Sequence, residues 1–321
     1  MRDADRGPRR MSEGHRYLIL ALAVFGCAGP STTELQAGGS SSPGFIETLS
    51  TTQHDGLTQM EVTYASDTLV VRGFLTLPKK SGRRPAVLFN HGGVSGVSAD
   101  MKRRSIDLAK EGYVVFAPAY RGEGGSEGRI EVAAGEVNDV LAAADILSRH
   151  PRVRADRMAI TGSSHGALIS VLAAAREPER FRCVVAACGV MDVVSWYHWL
   201  VETKGVEAVR DSLSLVVYGN GPEAEPEAFR IRQATRVAGE VKVPILLQYG
   251  EADKTVPVSQ AHQFVAAAKE SGRPAPELRT YPRLGHAFWF WNDTKAHTKE
   301  EIEEADDSWD DFTDFLDDHL D

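Results

Sequence analysis

Residues 158–175 read Met158-Ala-Ile-Thr-Gly162-Ser163-Ser164-His165-Gly166-Ala167-Leu-Ile-Ser-Val-Leu-Ala-Ala-Ala175. A short apolar run ends in glycine, and a longer run of alanine and straight-chain apolar residues begins a few positions later. The first part reads as a buried strand and the second as a helix. A chain that passes from strand to helix in so few residues must fold back sharply. Glycine is required at 162 and 166 because side chains there would collide across the reversal. The central Ser164 of Gly162-Ser-Ser-His-Gly166 is then presented beside a helix N-terminus, where backbone N–H groups favour negative charge. This is the G-x-S-x-G arrangement of a nucleophile elbow, and Ser163 fills the turn.

Working outward, Glu61-Val-Thr-Tyr-Ala and Leu69-Val-Val-Arg-Gly-Phe-Leu-Thr-Leu alternate in polarity around a turn at Ser66-Asp67, which predicts two antiparallel strands. Short apolar runs follow at Ala86, Tyr113, Met158, Cys183 and Ile245, with a mixed run at Glu277. They read as strands of a mostly parallel sheet buried on both faces. Helical patterns fill the intervals at 99–111, 133–149, 165–176 and 259–271. Strand and helix alternating in this way predict a three-layer α/β fold. The rhythm breaks between 190 and 240, a gap of about fifty residues that is too long for an ordinary connection. Trp196, Tyr197, Trp199 and Leu200 in that gap predict a small helical insertion, either packed on the body or acting as a lid. The order of elements gives one catalytic domain over residues 45–321.

A serine hydroxyl needs a base to take its proton, and that base needs a carboxylate to orient it. In a fold of this kind the acid follows a later strand and the histidine follows the last one. Asp253 stands in Tyr249-Gly-Glu-Ala-Asp253-Lys-Thr-Val-Pro-Val, just beyond the Ile245 strand. His286 stands in Leu284-Gly-His286-Ala-Phe, just beyond the Glu277 strand. Glu251 and Asp192 are rival acids, while His262 and His297 fall on a helix and in a polar stretch. Asn90-His91-Gly92-Gly93-Val94 follows the Ala86 strand. The backbone N–H groups of Gly92, Gly93 and Val94, with that of His165, are candidate donors to an oxyanion.

The formal charge is -9, yet residues 300–321 alone hold twelve Asp and Glu and no Lys or Arg. The remaining chain is nearly neutral, which gives no support to a nucleic-acid partner. Ile302, Ala305, Trp309, Phe312, Phe315, Leu316 and Leu320 recur at helical spacing, so this acidic stretch predicts an amphipathic terminal helix. At the other end, Arg2, Arg6, Arg9, Arg10 and Arg16 precede the apolar run Tyr17–Phe25. That run is too short to span about 30 Å of hydrocarbon and fits a secretory signal over residues 1–26. Val24-Phe25-Gly26-Cys27 resembles the lipobox of bacterial lipoproteins. It implies a lipidated Cys27, a flexible tether over 27–44 and a cell-envelope location on a membrane. Cys183 and Cys188, about 17 Å apart along an extended strand and on opposite faces, are expected in the core without a disulfide.

Together, the His91-Gly-Gly loop, Tyr120-Arg-Gly-Glu-Gly-Gly-Ser126, the Ser164 elbow, Gly250-Glu-Ala-Asp253 with Val256-Pro257, and Gly285-His286-Ala resemble the α/β-hydrolase superfamily. Within it, the chain is similar to the catalytic domain of the prolyl oligopeptidase family and to dienelactone hydrolase-like esterases, over about residues 60–320. The resemblance implies a serine hydrolase that forms an acyl-enzyme and needs neither metal nor cofactor. Its substrate would be a small ester or a short peptide. Many prolyl oligopeptidase relatives carry a β-propeller before this domain; about 33 residues separate Cys27 from Met60, too few for one. Esters are therefore the first expectation, a peptidase without propeller the second, and a non-catalytic binding lipoprotein the third. The sequence is silent on oligomeric state.

Overall fold

The computed structural model describes residues 45–210, 219–291 and 296–321. The expected leader over 1–26, the tether over 27–44 and Cys27 lie outside them. The inner strands of the sheet form on short apolar runs, and its outer strands on alternating or polar sequence. The elements are β1 (Glu47–His54), β2 (Leu57–Ser66), β3 (Leu69–Leu77), β4 (Arg84–Asn90), β5 (Val114–Pro118), β6 (Val153–Ser163), β7 (Cys183–Ala187), β8 (Ile245–Gly250) and β9 (Glu277–Tyr281). They make one sheet in the order β1-β2-β3-β5-β4-β6-β7-β8-β9. The strands from β1 to β5 pair antiparallel, and every pairing from β5 through β4 to β9 is parallel. Strands β5, β7 and β8 are buried at every residue, as a parallel sheet covered on both faces demands.

The helices are α1 (Ala99–Glu111), α2 (Gly135–Arg149), α3 (His165–Arg176), α4 (Val193–Lys204), α5 (Val206–Arg210), α6 (Pro226–Arg230), α7 (Ser259–Glu270) and α8 (Lys299–Leu320). Residues of α2, α3 and α7 pack into the apolar core on one face of the sheet. Those of α1 and α8 pack on the other. The fold is thus a three-layer α/β-hydrolase fold. Strand β4 lies between β5 and β6, so the chain leaves β4 in one direction and returns past it in the other. With right-handed crossovers, this reversal sends α1 and α2 to opposite faces and opens a crevice at the C-terminal ends of β4 and β6. The His91 loop and the Ser164 turn both emerge there.

The terminal helix α8 opens with a capping box between Thr298 and Glu301 and buries Ala305, Trp309, Phe312, Phe315, Leu316 and Leu320. Most of its acids face solvent, while Asp311 pairs with Arg279 and accepts from the Tyr281 hydroxyl. Cys183 and Cys188 are buried and free.

Several boundaries differ from the sequence-based expectation, among them the start of β6, at Val153 rather than Met158. Strand β1 was not expected: Glu, Ser, Thr and Gln dominate it and most of it is exposed, so it carries no apolar alternation. Strand β2 begins four residues earlier than expected, at Leu57. Helix α2 begins at Gly135, not 133, because Val132 and Ala133 are in the left-handed region and Glu136 draws in the N–H groups of Glu131, Val132 and Ala134. Residues 190–240 contain α4, α5 and α6, with Val193, Leu200, Val209 and Phe229 forming a small apolar cluster with Val132.

Candidate active site

The turn from β6 to α3 is set by sterics. Ser164 has φ 57° and ψ −119°, a strained conformation for a side chain with a Cβ and one that costs on the order of 1–3 kcal/mol. A Cβ on Gly162 would lie 2.4 Å from the Gly166 carbonyl carbon, and one on Gly166 would lie 2.2 Å from the Asn90 carbonyl oxygen. Both would strike backbone, so no rotamer change could relieve them. The Ser164 N–H donates to Ala187 O at 2.8 Å, tying the turn to the end of β7.

Two other loops reach this serine. Past β8, the Asp253 Oδ1 accepts the N–H groups of Thr255 at 2.7 Å and Val256 at 3.0 Å. Its Oδ2 lies 2.7 Å from His286 Nδ1, and His286 Nε2 lies 2.9 Å from Ser164 Oγ. The two loops approach closely because residue 250 is glycine; a Cβ there would lie 2.0 Å from Leu284 O. Asp253 thus fixes the imidazole by its Nδ1–H and leaves Nε2 free to accept the serine proton, the arrangement that activates a hydroxyl.

The rivals are elsewhere. Asp192 caps α4 by accepting from Ser195 N–H and also accepts from Gln233 and Thr235. Glu251 accepts from Thr280 Oγ1 on the surface. His262 is exposed on α7, and His297 stacks on Trp291 at 3.7 Å. Ser163 is buried.

The loop after β4 lies against the elbow so tightly that a Cβ on Gly92 would sit 2.9 Å from Ser163 O and 3.1 Å from Ser164 Cβ. Gly93 takes φ +70°. The His165 Nδ1 donates to Gly93 O at 3.0 Å. Because the Gly93 carbonyl and the Val94 N–H share one peptide plane, this bond fixes the direction of that donor. His165 therefore contributes a side chain to the loop as well as a backbone N–H; burial depresses its basicity and keeps the ring neutral. The His91 ring turns to the Tyr120 segment and not to Ser164 Oγ, whose hydrogen-bond partner is His286. It stacks on Tyr120 at 4.1 Å, and burial pushes it down to about 4.

Beside Ser164 lies a pocket of about 220 Å³ lined by Gly93, Val94, Val132, Ser164, His165, Leu168, Val190, Trp196, Thr255 and Val256. None of these side chains bears a full charge. Sequence reasoning missed Val132, Leu168, Val190 and Val256 as pocket walls, since an apolar residue gives no signal to separate a wall from core. Trp196 was legible only as part of an aromatic insertion. Its Nε1 donates to Thr255 O at 3.0 Å, so the insertion is bonded to the Asp253 turn itself. Gln260 on α7 also accepts from the N–H groups of Met191 and Asp192. These bonds tie the start of α4 to the side of the pocket.

Among the described residues, Cys188, Asp253 and His286 bring ligand-type atoms within 4.8 Å of one another. They make a poor metal site. Asp253 and His286 already engage each other, and burial raises the Cys188 thiol far from the thiolate form a metal requires.

The profile of the prolyl oligopeptidase family matches residues 100–309. A Bacillus subtilis protein described as uncharacterized peptidase YtmA is 30% identical over 227 residues, covering 71% of this chain and 85% of that one. A putative carboxymethylenebutenolidase of Methylorubrum extorquens is 26% identical over 259 residues, 77% of each chain. Among solved structures, the Pyrococcus horikoshii acylaminoacyl peptidase superposes with a TM-score of 0.66 at 18% identity, over 86% of this chain. The chain spans 42% of the length of that protein.

Proposed function

The chain belongs to the prolyl oligopeptidase family of serine hydrolases, and from that premise we propose that it hydrolyses short-chain acyl esters through an acyl-enzyme on Ser164. In this mechanism, His286 Nε2 takes the proton from Ser164 Oγ as the oxygen attacks the acyl carbonyl carbon. The negative charge that develops on the carbonyl oxygen is received by the N–H of His165 and by N–H groups of the Gly92–Val94 loop. His286, held by Asp253, passes the proton to the departing alkoxide. Water then repeats the sequence against the acyl-enzyme and releases the acid.

The preference for esters rests on the pocket. About 220 Å³ of mostly apolar wall beside the nucleophile suits a short uncharged acyl group, and among the described residues its lining offers no ion to grip a peptide terminus. The second reading is release of N-acylated amino acids. It draws on the family and on the names of its relatives, acylaminoacyl peptidase among them, and an acylated N-terminus is likewise uncharged. A panel of p-nitrophenyl esters from acetyl to octanoyl, run beside acyl-aminoacyl anilides and free aminoacyl anilides, separates the readings. Ester kcat/KM values that peak at a short chain and exceed every anilide support the first. Faster turnover of an acyl-aminoacyl anilide overturns it for the second.

We further propose that the leader directs export and that Cys27 carries the lipid anchor. Fractionation of cells expressing wild type and Cys27→Ser tests this. Membrane-bound wild type with an acylated N-terminus agrees, and soluble wild type cut near Ala28 contradicts it.

A further inference from the structure

The segment Tyr120–Ser126 does no chemistry in this mechanism, yet it is built more firmly than a connector requires. Arg121 is clamped by Asp139 on α2 and by Asp67, each at 2.8 Å. Gly122, at φ +74°, lies so close to the returning chain that a Cβ would sit 2.5 Å from Ile130 N. The other side of this anchored segment grips the loop after β4. The Tyr120 hydroxyl donates to His91 O at 3.3 Å, and the two rings stack. Glu123 Oε2 accepts the Gly96 N–H at 2.7 Å and lies 3.8 Å from His91 Nε2. Gly124 packs where a Cβ on Gly96 would come within 3.3 Å.

Glu123 is 3% exposed. Burying a carboxyl is costly, and a packed apolar residue would serve simple stability better. What an apolar residue cannot do is accept the Gly96 N–H. We propose that Glu123 is a positioning residue for the oxyanion hole, holding the 91–97 loop through Gly96 so that its Gly93–Val94 peptide meets the reacting carbonyl oxygen. His165 holds the same loop from the elbow side through Gly93 O, and Glu123 holds it from the far side. The charged and titratable groups facing Glu123 are His91 from the loop, Tyr120 from its own segment, and Glu136 and Asp139 from α2. Arg121 is committed to Asp139 and Asp67. Arg72 of β3, beside Gly125, is paired with Glu61.

The inference rests on Ser164 being the nucleophile. The test is steady-state kinetics on the best ester, with every kcat expressed per active site titrated by a fluorophosphonate. Glu123→Ala should lower kcat about ten- to hundredfold with KM within about twofold, since a displaced donor is felt in the transition state. Glu123→Gln, whose amide oxygen still accepts the Gly96 N–H, should stay within about threefold of wild type. Should Glu123→Ala fail to fold, Glu123→Asp, which retracts the oxygen by one methylene, carries the same prediction. A wild-type kcat per titrated site in Glu123→Ala or Glu123→Asp, a loss confined to KM, or a Glu123→Gln as impaired as Glu123→Ala overturns the inference. Wild type that neither labels nor turns over refutes the Ser164 reading, a distinct result.

Discussion

Two regions form the mouth of the pocket, and they are held by different physics. The elbow at Gly162–Gly166 is fixed by backbone that would collide with any side chain at either glycine, so its geometry is written into a few adjacent residues. The wall at Val190–Trp196 is fixed by polar bonds to distant residues: Gln260 to the N–H groups of Met191 and Asp192, and Trp196 to Thr255 O. The first region is held by backbone sterics and the second by side-chain hydrogen bonds, so a side-chain substitution reaches the second without touching the first. On this account the elbow decides whether bonds break, and the wall decides which acyl group is accepted.

The largest effect that sharpens this contrast is at the elbow. Ser164→Ala should fold as wild type yet lose at least about a thousandfold in kcat/KM, since hydrogen-bond donors and binding alone remain. Asp253→Asn and His286→Ala should be similarly impaired. Inactivity of Ser163→Ala with an active Ser164→Ala would move the nucleophile and break the comparison. At the wall, Trp196→Ala should raise KM about tenfold for the ester that best fills the pocket, with kcat on the acetyl ester within about threefold. An equal collapse of kcat would make the insertion part of the catalytic frame.

A smaller effect tests the far support of the loop. Burial pushes the Glu123 carboxyl up to about 8, with Glu136 and Asp139 adding to the rise and the Gly96 N–H opposing it. Below that pH the group is neutral. Above it, a negative charge stands behind the loop that must receive the oxyanion. Ester kcat in wild type should therefore fall a few-fold above about pH 8, while Glu123→Gln, which cannot ionise, keeps its plateau. Superimposable profiles would remove Glu123 charge from the account. The smallest effect on activity is at Asp192: Asp192→Ala, which deletes the cap of α4 and the acceptor of Gln233 and Thr235, should cost about 1–3 kcal/mol in chemical denaturation and leave kcat unchanged.

The same contrast explains what the sequence discloses. The strand–turn–helix at Ser164 is legible because two glycines and a periodicity switch lie within one short window. Asp253 and His286 are legible because chain order in a parallel sheet sends acid and base to successive strand ends. Polar β1 is not, since an exposed edge strand buries nothing that would leave an apolar pattern. Nor is the partnership of Trp196 with Thr255, 59 residues apart, or of Glu123 with Gly96 across two loops. Such contacts depend on where the sheet order places loops that are distant in the chain. In particular, the insertion of β4 between β5 and β6 sets the 91–97 loop beside both the elbow and the Glu123 segment.

The most direct test of the central claim is to react the purified protein with a fluorophosphonate, digest it, and locate the adduct by mass spectrometry. The account predicts one phosphonylated residue, Ser164, formed at a rate that drops by orders of magnitude in His286→Ala and absent in Ser164→Ala. An adduct on Ser163, or a folded wild type that takes up no label while hydrolysing esters, would contradict it.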